Sequence, residues 1–392
     1  MTRKQSQFLP YSRQDIDEQD IKAVVDVLRS DYVTQGPIRG DLEQALSNFC
    51  HVDHVSMLST GSAALHSACF ALGVGSGDEV LVPNNTFAAT ANGVVHCSGK
   101  PVFVDSSPDS FHASIVDMEQ KITERTVGII PMHYGGLPCN LEEINKLARL
   151  HGLWVLEDAA HAVGASYQGQ PIGNCRYGNA TIFSFHPIKP LCMGEGGAVT
   201  SNDSGLIQKV REFANSGITK EIDQFEHPEL SAPWYAEMHS LGFNYRITEM
   251  QCALGLSQLG RLETFINKRN ELAGHYKDLL SKYDYIQMPL FDYAYEAVCA
   301  YHLFPVLIDF SRMKKSRAVV MENLREKNIG TQAHYIPLSH QIYYQKKYGY
   351  SHGDLPESEK VFEKSLSLPI SVRMNEEDVF YVVENLLQEL IS

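Results

Sequence analysis

Two side chains in this 392-residue sequence have the types and the setting that chemistry on an amino group requires. Lys189 follows a short apolar run at 180–183 and precedes a glycine-rich turn at 194–197. Asp158 ends another apolar run, at 153–158. A lysine that can form a Schiff base and a carboxylate that can hold a pyridinium nitrogen are the pair that pyridoxal phosphate (PLP) needs. We therefore predict that both side chains face one PLP pocket.

Each of the two residues also has an ordinary structural interpretation. Lysines are mostly solvated at protein surfaces, but Pro190 follows Lys189 directly and biases its backbone toward an extended conformation. Asp158 can simply cap a helix that begins at Ala159. The carboxyl end of a strand is nevertheless where open α/β sheets bind ligands, which favours the pocket.

A turn of small residues at 59–65 predicts a phosphate site. It lies between a short strand and a helix, so free backbone N–H groups and the positive end of the helix dipole can face an anion. Ser62 can add a hydroxyl, and Ser184, five residues before Lys189, can reach the same phosphate. Phe87 can stack on a cofactor ring. The alternatives are a plain helix cap for the turn and a core position for the phenylalanine.

The elements that must position these residues alternate between strand and helix. Strands are predicted at 55–58, 79–83, 101–105, 127–131, 153–158, 180–183 and 198–200. A helix at 41–49 precedes the first strand, and helices at 63–72, 87–97, 114–122 and 141–151 lie between the first five. This alternation predicts an α/β fold with a mostly parallel central sheet and helices on both faces.

The pattern changes after residue 200. A helix is predicted at 205–215, an irregular polar stretch at about 217–240, and one long helix at 248–268. The remainder mixes helices at 271–283, 316–327 and 376–390 with a strand at 301–308, which predicts a smaller α+β domain. We predict a large PLP-binding domain at 1–265, with an N-terminal arm at 1–25, and a C-terminal domain at 266–392.

Composition limits the class of protein. The net charge of −14 argues against a nucleic-acid interface, which needs clustered basic surface. The eight cysteines are scattered without metal-ligand spacing, which favours buried thiols in a reducing compartment. No secretory signal follows the N-terminus and no apolar run approaches the ~20 residues of a membrane helix, so we expect a cytoplasmic protein without membrane contact.

Several motifs resemble those of the DegT/StrS-type nucleotide-sugar aminotransferases, which are fold-type I PLP enzymes, and they follow one another along the chain in the same order as in that family. The resemblance runs from about Tyr11 to the C-terminus. The motifs that carry it are the stretches 34–37, 59–65, 157–162, 183–189, 194–199 and 244–249.

The resemblance implies a role for each candidate residue. Lys189 is the catalytic residue, which binds PLP as a Schiff base and later moves a proton between cofactor and substrate carbons. Asp158 pairs with the pyridine nitrogen, Phe87 stacks on the ring, and His161 lies near the ring hydroxyl. The phosphate is held by Gly61, Ser62 and Ser184, together with Asn244 from a neighbouring subunit beside Arg246. A homodimer with shared active sites follows.

Finer similarity, at 188–190, 254–259 and 333–337, is to the aminotransferases of pseudaminic acid biosynthesis. These transfer the amino group of L-glutamate to C4 of a UDP-linked 4-keto-6-deoxy-N-acetylhexosamine, UDP-2-acetamido-2,6-dideoxy-β-L-arabino-hex-4-ulose. The implied sugar or diphosphate contacts are Tyr11, Thr34, Arg246, His334 and Tyr335. Cys192 and Met193 stand where relatives often carry threonines, so we expect the pocket to differ there.

Three alternatives remain open at this point. Other 4-keto or 3-keto nucleotide sugars, linked to UDP, GDP or dTDP, fit the same residues. A PLP-dependent sugar dehydratase has the same fold but carries histidine in place of Lys189. The third alternative is a regulator without enzymatic activity. The net negative charge of the chain argues against a regulator that binds DNA.

Overall fold

The structure is a computed structural model that describes residues 7–291 and 295–391, so part of the predicted N-terminal arm, 1–6, lies outside the described residues. Its strands are β1 (His54–Leu58), β2 (Glu79–Pro83), β3 (Lys100–Val104), β4 (Thr126–Ile129), β5 (Trp154–Asp158), β6 (Ser166–Tyr167), β7 (Gln170–Pro171), β8 (Ala180–Ser184), β9 (Gly197–Ser201), β10 (Ile218–Thr219), β11 (Glu237–Met238), β12 (Ile286–Gln287), β13 (Ala297–Val298), β14 (Phe304–Ile308) and β15 (Ser365–Leu368).

The α-helices enclose these strands. They are α1 (Glu18–Leu28), α2 (Pro37–Cys50), α3 (Gly61–Ala71), α4 (Ala88–His96), α5 (Ile115–Gln120), α6 (Leu141–His151), α7 (Ser204–Ala214), α8 (Glu249–Leu259), α9 (Leu262–Leu280), α10 (Arg317–Glu326), α11 (Ile342–Tyr348), α12 (Pro356–Lys364) and α13 (Glu376–Ile391).

A seven-stranded sheet with the order β1-β9-β8-β5-β4-β2-β3 is the centre of the fold. All its strands run in one direction except β9, which is antiparallel to both β1 and β8. The predicted α/β class with a mostly parallel sheet is therefore confirmed. The strands are buried on both faces, which explains their nearly continuous apolar sequences.

The sheet brings the predicted chemistry to one edge. Strands β1, β5 and β8 share a direction, so their carboxyl ends meet there. Asp158 is the last residue of β5, beside Ile182 of β8. The turn that opens α3 follows β1, and Lys189 follows β8 by five residues.

A second, three-stranded antiparallel sheet, β12-β14-β15, forms near the C-terminus. Helices α9, α10 and α13 contribute to a core with it, in which Leu272, Val306 and Val382 are fully buried. The predicted strand at 301–308 is confirmed for 304–308, and β15 was not predicted. The predicted division at residue 265 falls within α9, and the two-domain boundary stays a prediction.

The single helix predicted at 248–268 is wrong. Helix α8 ends at Leu259, and α9 begins at Leu262 and continues to Leu280, through most of the separate helix predicted at 271–283. Gly260 is a weak helix former. Beside it, Arg261 is the N-cap of α9, and its guanidinium pairs with Asp17 at 2.8 Å and Asp20 at 2.5 Å. Those carboxylates belong to the start of α1, most of which lies in the segment predicted as the N-terminal arm, where no helix was predicted. Within the described ranges, no helix is long and apolar enough to cross a bilayer.

Candidate active site

A cavity of about 490 Å³ opens at the carboxyl edge of the central sheet. Strand ends and helix starts supply most of its wall, with Leu65, Met132 and Ile182 as apolar members. Ten of the predicted site residues line it, namely Tyr11, Gly61, Ser62, Phe87, Asp158, His161, Ser184, Lys189, His334 and Tyr335.

Lys189 extends into this cavity from a turn in which its backbone N–H donates to the carbonyl of His186. Its Nζ lies 3.4 Å from Nε2 of His302. Burial disfavours the charged ammonium and lowers the pKa of Lys189 to about 7, although the negative charge of Asp158 acts in the opposite direction. The amine can therefore be uncharged near neutral pH, which is the form that a nucleophile or a base requires.

The first prediction concerns this titration in the PLP-free protein. Only an uncharged amine reacts with an acylating reagent, so labelling of Lys189 should increase with pH and be half-maximal near pH 7. The measurement is peptide mass spectrometry after brief acetylation across pH 5–11. A free lysine peptide added to each reaction is the control, and it should become half-labelled near pH ~10. Equal midpoints for Lys189 and this peptide would contradict the predicted shift.

Asp158 is buried, and two donors hold its carboxylate. Oδ2 accepts a hydrogen bond from the Thr90 hydroxyl at 2.7 Å, and Oδ1 accepts one from the backbone N–H of Ala160 at 3.1 Å. Burial raises the pKa of Asp158, whereas these hydrogen bonds and the nearby Lys189 favour the ionised form. A cation bound beside it, such as a protonated pyridine, would strengthen that ionised form further.

The sequence did not identify Thr90 as a site residue. The second prediction concerns the substitution of this threonine. Thr90→Val removes a hydrogen bond to a buried carboxylate, so kcat/KM should fall about tenfold and PLP should dissociate more readily. Thr90→Ser keeps the hydroxyl and is the matched control. Steady-state kinetics and PLP release measured by absorbance test both variants. If the Val and Ser variants behave alike, the hydroxyl has no role.

The hydrogen bonds of His161 assign its proton to one ring nitrogen. Burial lowers the pKa of His161 well below the usual value, so the ring is neutral. Its Nδ1 accepts the backbone N–H of Gly135 at 3.2 Å, which places the ring proton on Nε2. Nε2 lies 3.1 Å from the hydroxyl of Tyr335 and donates to it. The Tyr335 O–H is consequently left free to donate toward the cavity.

The turn before α3 has the shape and the donors of a phosphate cup. The Thr60 side chain caps α3 by accepting the Ala63 N–H, and the N–H groups of Gly61 and Ser62, at the first two positions of the helix, are left to bind an anion. A Cβ at Gly61 would lie 2.8 Å from Cβ of Ser184. Glycine at this position therefore allows the start of α3, which carries Ser62, to lie directly against the end of β8, which carries Ser184. These donors fit the phosphate of PLP, as Asp158 and Lys189 fit its ring.

Three predicted residues do not line the cavity. Thr34 and Asn244 are exposed, in isolated bridges to Thr248 and Asn215 respectively, and Arg246 donates to Asn215 Oδ1 at 2.8 Å. The Tyr245 carbonyl accepts the Ser59 N–H, so this segment runs beside the phosphate cup.

Cys192 and Met193 do not contact the cavity directly. Both are buried and neither lines it. Met193 packs against Gly255 of α8, where an added Cβ would lie 2.7 Å from its sulfur. Any influence of these two residues on the pocket is therefore indirect, and the expected difference from relatives stays a prediction.

His302 was also missed by the sequence. It is fully buried just before β14, with its ring centre 4.3 Å from that of His161. The sequence could not identify His302 as a site residue, because nothing around it distinguishes it from an ordinary histidine before an apolar strand. Its partner Lys189 is more than a hundred residues away in the sequence.

Known proteins of one family are similar to this chain along nearly its whole length. A family model described as the DegT/DnrJ/EryC1/StrS aminotransferase family matches residues 14–387. The UDP-4-amino-4-deoxy-L-arabinose–oxoglutarate aminotransferase of Shewanella sediminis is 36% identical over 96% of this chain and 97% of its own.

Solved structures agree with this match. PseC of Helicobacter pylori, an aminotransferase involved in the biosynthesis of pseudoaminic acid, superposes with a TM-score of 0.89 at 30% identity, covering 98% of this chain and 99% of its own. The PLP form of Spr1654 from Streptococcus pneumoniae gives 0.89 at 26% identity, covering 98% and 100%.

Proposed function

This chain belongs to the DegT/DnrJ/EryC1/StrS aminotransferase family and is a PLP-dependent sugar aminotransferase, and we propose that it aminates C4 of a UDP-linked 4-keto-6-deoxy-N-acetylhexosamine with L-glutamate as donor. The product would be an intermediate of pseudaminic acid biosynthesis. The observation that carries the proposal is the juxtaposition of Lys189 and Asp158 in a cavity with a phosphate cup.

The roles that we propose for the residues follow from their positions. Bound PLP supplies an electron sink for breaking and forming bonds at the amino-bearing carbon. Lys189 would hold PLP covalently, and its free amine, whose pKa burial lowers to about 7, would move the proton at that carbon. Asp158 would keep the pyridine nitrogen protonated. Gly61, Ser62 and Ser184 would bind the phosphate.

The choice of sugar is supported by similarity and by the polar groups that remain in the cavity. PseC is named for pseudoaminic acid biosynthesis, and it matches nearly the whole chain. Tyr11, His334 and Tyr335 face the cavity without a role toward PLP. His334 is neutral, because burial lowers its pKa to about 3, and its Nδ1 is paired with the Ser367 hydroxyl. Neutral donors and acceptors of this kind suit sugar hydroxyl and N-acetyl groups.

A substrate panel tests the proposal. Purified enzyme, PLP and glutamate are offered the UDP-linked L-arabino 4-keto sugar, its D-xylo epimer, a UDP-4-keto-pentose, and dTDP-linked 4-keto and 3-keto sugars, and the products are identified by NMR. We expect the L-arabino compound to give the highest kcat/KM. Preference for the pentose, the chemistry named for the Shewanella relative, would overturn the choice of sugar but not the aminotransferase assignment.

We also propose a homodimer in which Asn244 completes the phosphate site of the other subunit, with Arg246 and Thr34 at the same interface. The segment 217–243, just before Asn244, exposes large apolar side chains to solvent in a single chain. They are Ile222, Leu230, Trp234, Met238, Leu241 and Phe243. Such a patch favours burial against another copy.

Subunit mixing gives the third prediction. Lys189→Ala and Asn244→Ala should each lose activity alone, yet co-refolded mixtures should recover about one quarter of wild-type activity, because half the dimers are mixed and each has one intact site. Lys209→Ala mixed with Lys189→Ala is the control and should give simple dilution. Mixtures that show no recovery above the sum of the two separate variants would place Asn244 outside the partner's site.

A further inference from the structure

Outside the active site, three side chains with metal-ligating atoms converge between α11 and α12. His340 Nε2 lies 2.9 Å from Oε1 of Glu359, and His352 Nδ1 lies 3.1 Å from Oε2 of the same carboxylate. One donor atom from each residue lies within 4.8 Å of the other two. The two imidazole rings are stacked with centres 5.0 Å apart. Neither the sequence nor the aminotransferase chemistry accounts for this cluster.

The cluster has the ligand set and the support of a metal centre. Two imidazoles and one carboxylate are ligands that Zn²⁺ prefers, with a fourth position for water. Tetrahedral ligands about 2.1 Å from a metal are separated by about 3.4 Å, close to the spacing of these atoms. Glu359 is nearly buried, and Oε1 accepts the Gly353 N–H at 2.8 Å, which orients the carboxylate from outside.

We propose that His340, His352 and Glu359 bind a divalent transition-metal ion, with Zn²⁺ as the best match to the ligand types, and that the ion fastens the segment 334–359. That segment carries His334 and Tyr335 into the active site. Its other anchors include hydrogen bonds from the Asn84 amide to the hydroxyls of Ser339 and Ser358, and from the Ser358 N–H and hydroxyl to the Asp105 carboxylate. The side chain of His352, in the exposed loop after α11, contacts Glu359 and His340, so a metal would tie that loop more firmly to the rest of the segment.

Metal content and thermal stability test this inference in the tag-free holoenzyme. After incubation with ZnCl₂ and desalting, elemental analysis should find about one Zn²⁺ per chain, and Tm should be about 2–5 °C above that of the EDTA-treated enzyme. Co²⁺ should give the visible absorption of a four-coordinate site. His352→Ala and Glu359→Gln should lose the ion and the shift. His151→Ala, at an exposed histidine on α6, should keep both.

Glu359→Gln retains an acceptor for the Gly353 N–H, so its fold is preserved while its affinity for a metal falls. The inference is overturned if the holoenzyme retains no Zn²⁺ after desalting, or if the ion and the Tm shift persist in both variants. It is equally overturned if His151→Ala loses as much metal as they do, because binding would then be adventitious.

A second inference is carried by a different observation, the environment of His302. This imidazole is fully buried with Nε2 facing Lys189, and its Nδ1 has no hydrogen-bond partner within the residues that the structure describes. A buried polar atom left unpaired is costly and needs an explanation. The backbone fixes the ring there, because Tyr301 adopts a left-handed conformation (φ 43°) and its carbonyl accepts a hydrogen bond from buried Arg269.

We propose that His302 is a positioning residue, whose Nε2 accepts an N–H of Lys189 and holds the amine in place when it is not bound to PLP. Burial lowers the pKa of His302 well below the usual value, and the groups that face it act in the same direction because each disfavours a positive charge on the ring; they are Lys189, His161, Arg269 and His334. The ring therefore stays neutral and acts as an acceptor. The inference rests on the role proposed for Lys189.

The pH dependence of Lys189 acetylation in PLP-free protein tests this without enzymatic activity. His302→Leu removes the acceptor of the ammonium, so the labelling midpoint should shift downward by about 0.5–1 pH unit, and kcat of the holoenzyme should fall at unchanged KM. His302→Asn retains an acceptor and should restore the midpoint. Identical midpoints in wild type and His302→Leu, or equal shifts in both variants, overturn the inference. Loss of turnover with an unchanged Lys189 midpoint would likewise overturn the inference, and it would leave the role proposed for Lys189 intact.

Discussion

Lys189→Ala is expected to abolish amino transfer, with kcat/KM lowered by about 10⁴-fold or more, because it removes the only side-chain amine among the described residues that line the cavity. The neighbouring imidazoles cannot replace it. His161 and His302 are neutral, and neither can form a Schiff base. PLP should remain bound only by its phosphate and by Asp158, and should be lost on dialysis.

The measurement combines the visible absorbance of the holoenzyme with turnover of glutamate and the keto sugar. Lys209→Ala, which removes an exposed lysine, is the control for general effects on folding and should be indistinguishable from wild type. Millimolar methylamine should restore a small part of the activity, because alanine leaves space where the Lys189 side chain stood. A variant that keeps both turnover and bound PLP would refute the role of Lys189.

Much of the fold could be read from local sequence, because each buried strand is a short apolar run between turn residues. The strand ending at Asp158 and the helix at 141–151 were predicted to within one residue. The break between α8 and α9 could not be read, since it depends on Arg261 meeting carboxylates that precede it by more than 240 residues. Tertiary contacts of that separation leave no mark on helical periodicity.

The same limit applies to the site. Residues at strand ends were predictable, because all parallel strands deliver their carboxyl ends to one edge. Thr90 and His302 were not, because each acts through a single hydrogen bond to a distant partner. Cys192 and Met193 illustrate the converse case. They are close to Lys189 in sequence, but neither lines the cavity, and Met193 packs against α8 instead.

Asp158→Asn is expected to lower kcat/KM by about 10²–10³-fold while the protein stays folded. The exchange removes a negative charge from a site where burial excludes water, so a pyridine nitrogen beside it would no longer be held protonated. Glutamate binding, which depends on other groups, should change little. The loss should therefore appear in kcat and in single-turnover rates of both half-reactions more than in KM.

Asparagine is the informative substitution because the surrounding hydrogen bonds can accommodate it. Its amide oxygen can accept the Ala160 N–H, and its NH₂ can donate to Thr90, whose hydroxyl can turn toward Thr86 at 2.8 Å. Asp158→Glu keeps the charge but displaces it by one methylene, so a partial loss is expected. If the Asn variant retains wild-type rates in both half-reactions, the ring nitrogen does not depend on this charge, and the carboxylate serves only to anchor the turn after β5.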